Sequence, residues 1–96
     1  MENEKVMATH KSALKRIRQN EKRRLRNRVH RGAMRSQVRK FNEAVEAGDA
    51  ELAAVELKKA IVTIDRTRSR GVIHKHAASR KVSRLSLAYN KLVASN

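Results

Sequence analysis

The chain of 96 residues carries 24 Lys and Arg against nine Asp and Glu, a net charge of +15, with two aromatic residues and neither cysteine nor proline. Such a length supports one small domain that buries roughly 60–65% of its unfolded surface, with no room for a deep catalytic cleft beside the core. Disulfides, thiol catalysis and cysteine-ligated zinc are excluded, and no run of about 18 apolar residues or apolar leader points to membrane insertion or secretion, so a cytoplasmic location is expected.

Residues 1–8 read as a flexible N-terminal extension. A first helix is expected from about Thr9 or Lys11 to Ala47 (9–47). Its second half carries Met34, Val38, Phe41 and Val45 at steps of four, three and four, the spacing of a core-facing stripe. Its first half shows no such stripe, since Ala13, Leu14, Ile17 and Leu25 are the only apolar residues from Lys11 to Arg28.

Gly48 suits a left-handed C-terminal cap, and Asp49 directly after it can accept hydrogen bonds from the free N–H groups that open a second helix, 49–69. That helix carries Leu57, Ile61 and Ile64, with Ala53, Ala54 and Ala60 allowing a neighbour to approach. Asp49 and Glu51 at its start and Arg66, Arg68 and Arg70 at its end suit the helix dipole. Gly71 marks the next break, and a third helix over 73–93 presents Ala78, Val82, Leu85, Tyr89 and Leu92. Short connections between three helices imply an all-α fold, an antiparallel three-helix bundle in a single domain of residues 1–96. At about 1.5 Å per residue the first helix would measure about 55 Å and the others about 30 Å, so the N-terminal helix is extended and overhangs its partners.

Charge follows the same division. Lys11 to Lys40 holds thirteen basic residues and one acid, Glu21, whereas Phe41 to Ala60 holds five acids and two bases. A solvated helix face interleaves Glu with Lys four residues apart, and the first segment does not. A compact body with this charge requires a polyanion. A membrane-surface helix would need large apolar residues along its opposite face, which this segment lacks, so nucleic acid is the expected partner. Lys15, Arg16, Arg18, Lys22, Arg23, Arg24, Arg26, Arg28 and Arg31 point around all sides of a helix, with Arg35 further on. Without an apolar stripe, this arm is expected to order on phosphate.

The stretch NEKRRLRNRVHR is similar to a leucine-zipper basic region, but a zipper needs several uninterrupted heptads, and Gly48 with Asp49 ends the helix after two. Stacking aromatics and glycine-rich clamps of sequence-reading RNA modules are absent. Recognition is therefore expected through backbone shape, with Arg forking onto phosphate and Asn20 and Asn27 reaching sugar or base edges.

Two segments, KSALKRIRQNEKRRLRNR and GVIHKHAASRKVSRL, together with the AGD turn at Ala47, Gly48 and Asp49, resemble the bacterial small-subunit ribosomal protein S20 family over roughly residues 8 to 93. The resemblance implies a three-helix bundle that is a structural constituent of the small ribosomal subunit and assists its assembly. It implies direct binding to 16S ribosomal RNA, chiefly its 5′ domain, beside other small-subunit components. By position, Lys11, Ser12, Lys15, Arg16, Arg18, Asn20, Lys22, Arg23, Arg24, Arg26, Asn27 and Arg28 correspond to the family's RNA-facing helix. Gly71, His74, Lys75, Arg80, Lys81 and Arg84 correspond to its second RNA-facing stretch. The chain departs from the family in MENEKV before Met7 and in His76 and Ala77, where Asn-Thr is common.

Neither a metal site nor catalysis is expected. His74 and His76, two apart on a helix, would face different ways without a carboxylate to complete a site, and no pocket assembles a nucleophile with a base. His10, His30 and His74 read instead as neutral contacts to phosphate or sugar. Glu43, Glu46, Glu51 and Glu56 are expected to keep the bundle end soluble and turned away from RNA. No cofactor, small-molecule substrate, membrane or homo-oligomer is expected, and a nonspecific condensing protein of the histone-like class shares the composition but not the two motifs.

Overall fold

The computed structural model describes the backbone of residues 2–96 and the side chains from His10 onward. Three helices make up the fold: α1 over Glu2–Glu46, α2 over Ala50–Ser69 and α3 over Lys75–Ser95. α1 starts earlier than the Thr9 or Lys11 expected from sequence, so the backbone of the segment read as a flexible extension is helical from Glu2. Nothing there breaks a helix, since proline is absent and the first glycine is Gly32. Gly32 itself lies inside α1, which runs through it without interruption.

Both turns are built on a glycine in the left-handed region, Gly48 at φ 70° and Gly71 at φ 75°. Gly48 N–H donates to Val45 O and Asp49 N–H to Ala44 O, at 3.0 and 3.1 Å. Gly71 N–H donates to Arg68 O and Val72 N–H to Thr67 O, at 2.9 and 3.1 Å. Each is a Schellman closure, in which a left-handed residue turns the last free carbonyls of a helix onto the next two N–H groups. At the second turn Val72 and Thr67, the two positions that such a closure brings together, are both buried. Asp49 then serves α2 as well, its carboxylate accepting the Leu52 N–H at 3.1 Å.

Two contacts between distant residues set the directions. Arg31 reaches the Val72 carbonyl, at 3.5 Å, and Asn96 reaches the Gly48 carbonyl, at 3.4 Å. α2 therefore runs back along α1 from Gly48 to the level of Arg31, and α3 returns from there to Gly48, which is the antiparallel bundle. Its core consists of Met34, Phe41 and Ala44 from α1, Ala53, Ala60 and Ile64 from α2, and Ala78, Leu85 and Leu92 from α3. Phe41 and Ile64 are its largest fully buried side chains. Four alanines in so small a core let the helix axes come close, and α2 packs tightly on both neighbours while α1 and α3 meet less closely.

The bundle engages α1 only from about Arg31 onward, so the preceding residues overhang by about 40 Å at 1.5 Å per residue. The molecule accordingly measures 76 × 20 × 15 Å, and its radius of gyration is 20.4 Å, against about 13 Å for a compact chain of this length. That arm and the turn beside its root position the candidate site.

Candidate nucleic-acid interface

From His10 to Arg31 every side chain is exposed except Asn27 and His30, which are half-buried. The predicted residues Lys11, Ser12, Lys15, Arg16, Arg18, Asn20, Lys22, Arg23, Arg24, Arg26, Arg28 and Arg31 thus stand in solvent around the arm. Arg35 is exposed too, one turn inside the bundle. Lys11, Lys15, Arg18 and Lys22 share one shallow trough along the arm with Leu14 and Gln19. Like charges recur four apart at Lys11 and Lys15, Arg18 and Lys22, Lys22 and Arg26, and Arg24 and Arg28. Each such pair opposes the helix by about 0.2–0.5 kcal/mol in water, an opposition that bound phosphate reverses.

The arm does carry a sparse apolar line. Leu14, Ile17, Leu25 and Val29, spaced by three, eight and four, fall along one side of the helix, with exposures from 44% to 62%. They lie on the opposite side from Met34 and Phe41, Glu21 interrupts them, and no helix covers them. That is why they do not act as a core stripe.

Basic residues distant in sequence come together at two places. At the root of the arm, Arg23, Arg26, Asn27 and His30 face Arg70, Gly71 and Val72 of the α2–α3 turn across a notch. Deeper in the bundle, Arg35, Arg39 and Asn42 of α1 share a groove with Lys81 of α3, floored by Met34 and Val38. The two stretches that the resemblance assigned separately to RNA therefore join at Gly71, and Lys81 of the second meets Arg35 further along α1. Arg39, Asn42 and Arg70 were not among the candidates from sequence. Arg39 belongs to the same basic run, whereas Arg70 read only as a complement to the helix dipole.

Lys75, Arg80 and Arg84 are exposed on α3. His74 is its N-cap, with φ −74° and ψ 148°, and its Nδ1 accepts the His76 N–H at 3.1 Å. Because His74 lies outside the helix, the two imidazoles do not diverge as their spacing in sequence suggested; their ring centroids are 4.9 Å apart. With Nδ1 engaged by the backbone, Nε2 is the ring nitrogen left to face a ligand.

Acids occupy the opposite end. Glu43, Glu46, Asp49 and Glu51 are exposed around the α1–α2 turn. Glu56, expected among them, is instead buried, 9% exposed, because it points into the α1–α2 seam and accepts a hydrogen bond from Gln37. Among the described residues the ion pairs are Lys59 with Glu56, at 3.7 Å, and Arg68 with Asp65, at 2.9 Å. Neither uses a cation assigned to RNA. Those cations stand without carboxylate partners, which leaves their hydrogen-bonding capacity for an external anion.

Among the described residues no helix is long and apolar enough to cross a membrane, and no group of three or more His, Asp or Glu is placed to hold a metal ion. The family model of ribosomal protein S20 matches residues 8–90. The chain is 55% identical over 86 residues to the small ribosomal subunit protein bS20 of Syntrophobacter fumaroxidans, covering 90% of this chain and 100% of that one. It is 56% identical over 88 residues to bS20 of Desulfotalea psychrophila, covering 92% and 99%. With bS20 of Trichlorobacter lovleyi the identity is 51% over 86 residues, covering 90% and 99%.

Proposed function

The chain belongs to the ribosomal protein S20 family, and from that premise we propose that it is a structural constituent of the small ribosomal subunit that binds 16S ribosomal RNA directly, mainly in the 5′ domain. It works in the ribosome, in the bacterial cytoplasm, as a single copy among the other small-subunit components. Its task is mechanical and electrostatic: the bundle is a rigid body, and the arm is a cationic staple between RNA segments that would otherwise repel each other.

The observation that carries this reading is the free-standing arm, with exposed Lys and Arg on every side and no carboxylate paired to them. Outside RNA such a helix has neither tertiary support nor charge balance. Phosphates provide the balance, so binding and helix formation in the arm are one event. The second basic stretch, on α3, is held at a set distance from the arm by the bundle, and two patches on one body can bridge separate RNA segments. The acidic turn at the far end gives the molecule a direction relative to the RNA.

Equilibrium binding to a transcript of the 5′ domain tests this. With six or more phosphates engaged, affinity falls about a thousandfold or more between roughly 50 and 200 mM salt. Equal affinity for random duplex DNA at the same salt would overturn the proposal in favour of a nonspecific condensing protein.

A further inference from the structure

The stripe of α1 that enters the core continues beyond it. Steps of three or four residues lead from Phe41 through Val38 and Met34 to His30, Asn27 and Arg23, so all of these lie along one side of the helix. Where α2 and α3 cover that side it is apolar. Where α2 stops, at Ser69, the same side turns polar and cationic. Asn27 and His30 stay half-buried there while their neighbours on the arm are exposed, which marks the place as a concave step between the arm and the α2–α3 turn.

Arg70 enters this step from the turn. Its Nη1 lies 2.8 Å from His30 Nδ1 and 3.3 Å from His30 Nε2, and because a guanidinium only donates, the imidazole edge is the acceptor that holds it. An arginine held by an imidazole keeps its full charge. Arg23 and Arg26 face the same step, and none of the three arginines has a carboxylate partner among the described residues. The acid nearest to Arg70 in sequence, Asp65, is occupied by Arg68 at 2.9 Å. Three guanidinium groups around one concavity with no internal anion form a seat for an external one, and the planar guanidinium fork matches the paired non-bridging oxygens of a phosphodiester.

We propose that this step seats the backbone phosphate of one RNA strand, which takes the place that α2 occupies further along α1. Arg23, Arg26 and Arg70 hold the phosphate, Asn27 reaches the adjoining sugar, and His30 is a positioning residue that aims Arg70. The proposal rests on the RNA-binding reading and adds to it a residue, Arg70, outside both stretches assigned by resemblance. It also places the strand in line with α2, so that the RNA abuts the end of the bundle as well as lining the arm.

The test compares the unmodified chain with Arg70→Gln and with Arg68→Gln, which removes an equal charge two residues away, in binding to the 5′-domain transcript. Arg70→Gln is expected to lower the slope of log affinity against log salt by about one, equivalent to about a fourfold smaller loss of affinity between roughly 50 and 200 mM. Arg68→Gln is expected to leave the slope unchanged. His30→Gln, which keeps an acceptor, should bind as the unmodified chain does, and His30→Leu should match Arg70→Gln without adding to it in the double variant. Equal slopes for Arg70→Gln and Arg68→Gln would overturn the seat while leaving the RNA-binding reading intact. Failure of the unmodified chain to bind the transcript would overturn the reading itself, and thermal melts that coincide for all variants exclude misfolding as the cause of any difference.

Discussion

Gln37 of α1 donates from Nε2 to the carboxylate of Glu56 on α2 and lies 3.4 Å from the main-chain carbonyl of the same residue. One neutral amide thus satisfies a carboxylate that the α1–α2 seam has taken out of water, with Lys59 contributing only a longer contact at 3.7 Å. Leaving a buried acceptor without its donor costs about 1–3 kcal/mol. Gln37→Leu should therefore lower Tm by roughly 4–8 °C per kcal/mol lost, measured by thermal denaturation. An unchanged Tm would mean that water replaces the amide at no cost.

The glycines respond in opposite directions to the same substitution. Gly48 has φ 70° while Gly32 is an ordinary helical residue, and a Cβ meets nothing within 4 Å at either. Gly48→Ala is expected to destabilise the bundle by about 1–2 kcal/mol, since the strain is in the backbone. Gly32→Ala should raise the far-ultraviolet helix signal and favour the helix by about 0.5–1 kcal/mol. Loss of stability in Gly32→Ala would point to a kink at that position.

Reversing Arg23, Arg24 and Arg26 to Glu together should abolish binding to the 5′-domain transcript and leave the melting transition of the bundle nearly unchanged. All three are exposed and lie before the segment of α1 that α2 covers. Calorimetry of the free variant checks the second half, and a large fall in Tm would show that the arm packs against its own bundle.

Ile64 and Ile61 separate cleanly. Ile64 is fully buried and Ile61 only half-buried, so Ile64→Ala is expected to cost about 2–5 kcal/mol and Ile61→Ala distinctly less. Urea denaturation of the two variants, compared at equal m, measures the difference.

The helices, their order and both turns were legible because each has a local cause. Gly48, Asp49 and Gly71 act through their own backbone and nearest neighbours, and the steps from Met34 to Val45 mark one side of a helix whatever lies against it. Glu56 was not legible. Its spacing and charge are those of a solvated glutamate, and only the neighbouring α1 with Gln37 makes it a buried acceptor. His74 was misread for the same kind of reason, since its separation from His76 implies divergence only if both are helical, and His74 is the cap. α1 begins at Glu2 rather than at Thr9 or Lys11, since nothing before Gly32 breaks a helix.

What the sequence determined alone is an unbalanced charge: thirteen basic residues against one acid over thirty positions attract external counter-charge in any conformation, because Coulomb repulsion between exposed like charges does not depend on how the chain is folded elsewhere. Where that counter-charge is gripped was decided by tertiary structure. Arg70 is forty residues from His30 in the chain, and only the return of α2 along α1, ending one step short of the arm, brings the two together. A concave arrangement of charges is a property of how helices end against each other, and no single helix carries it.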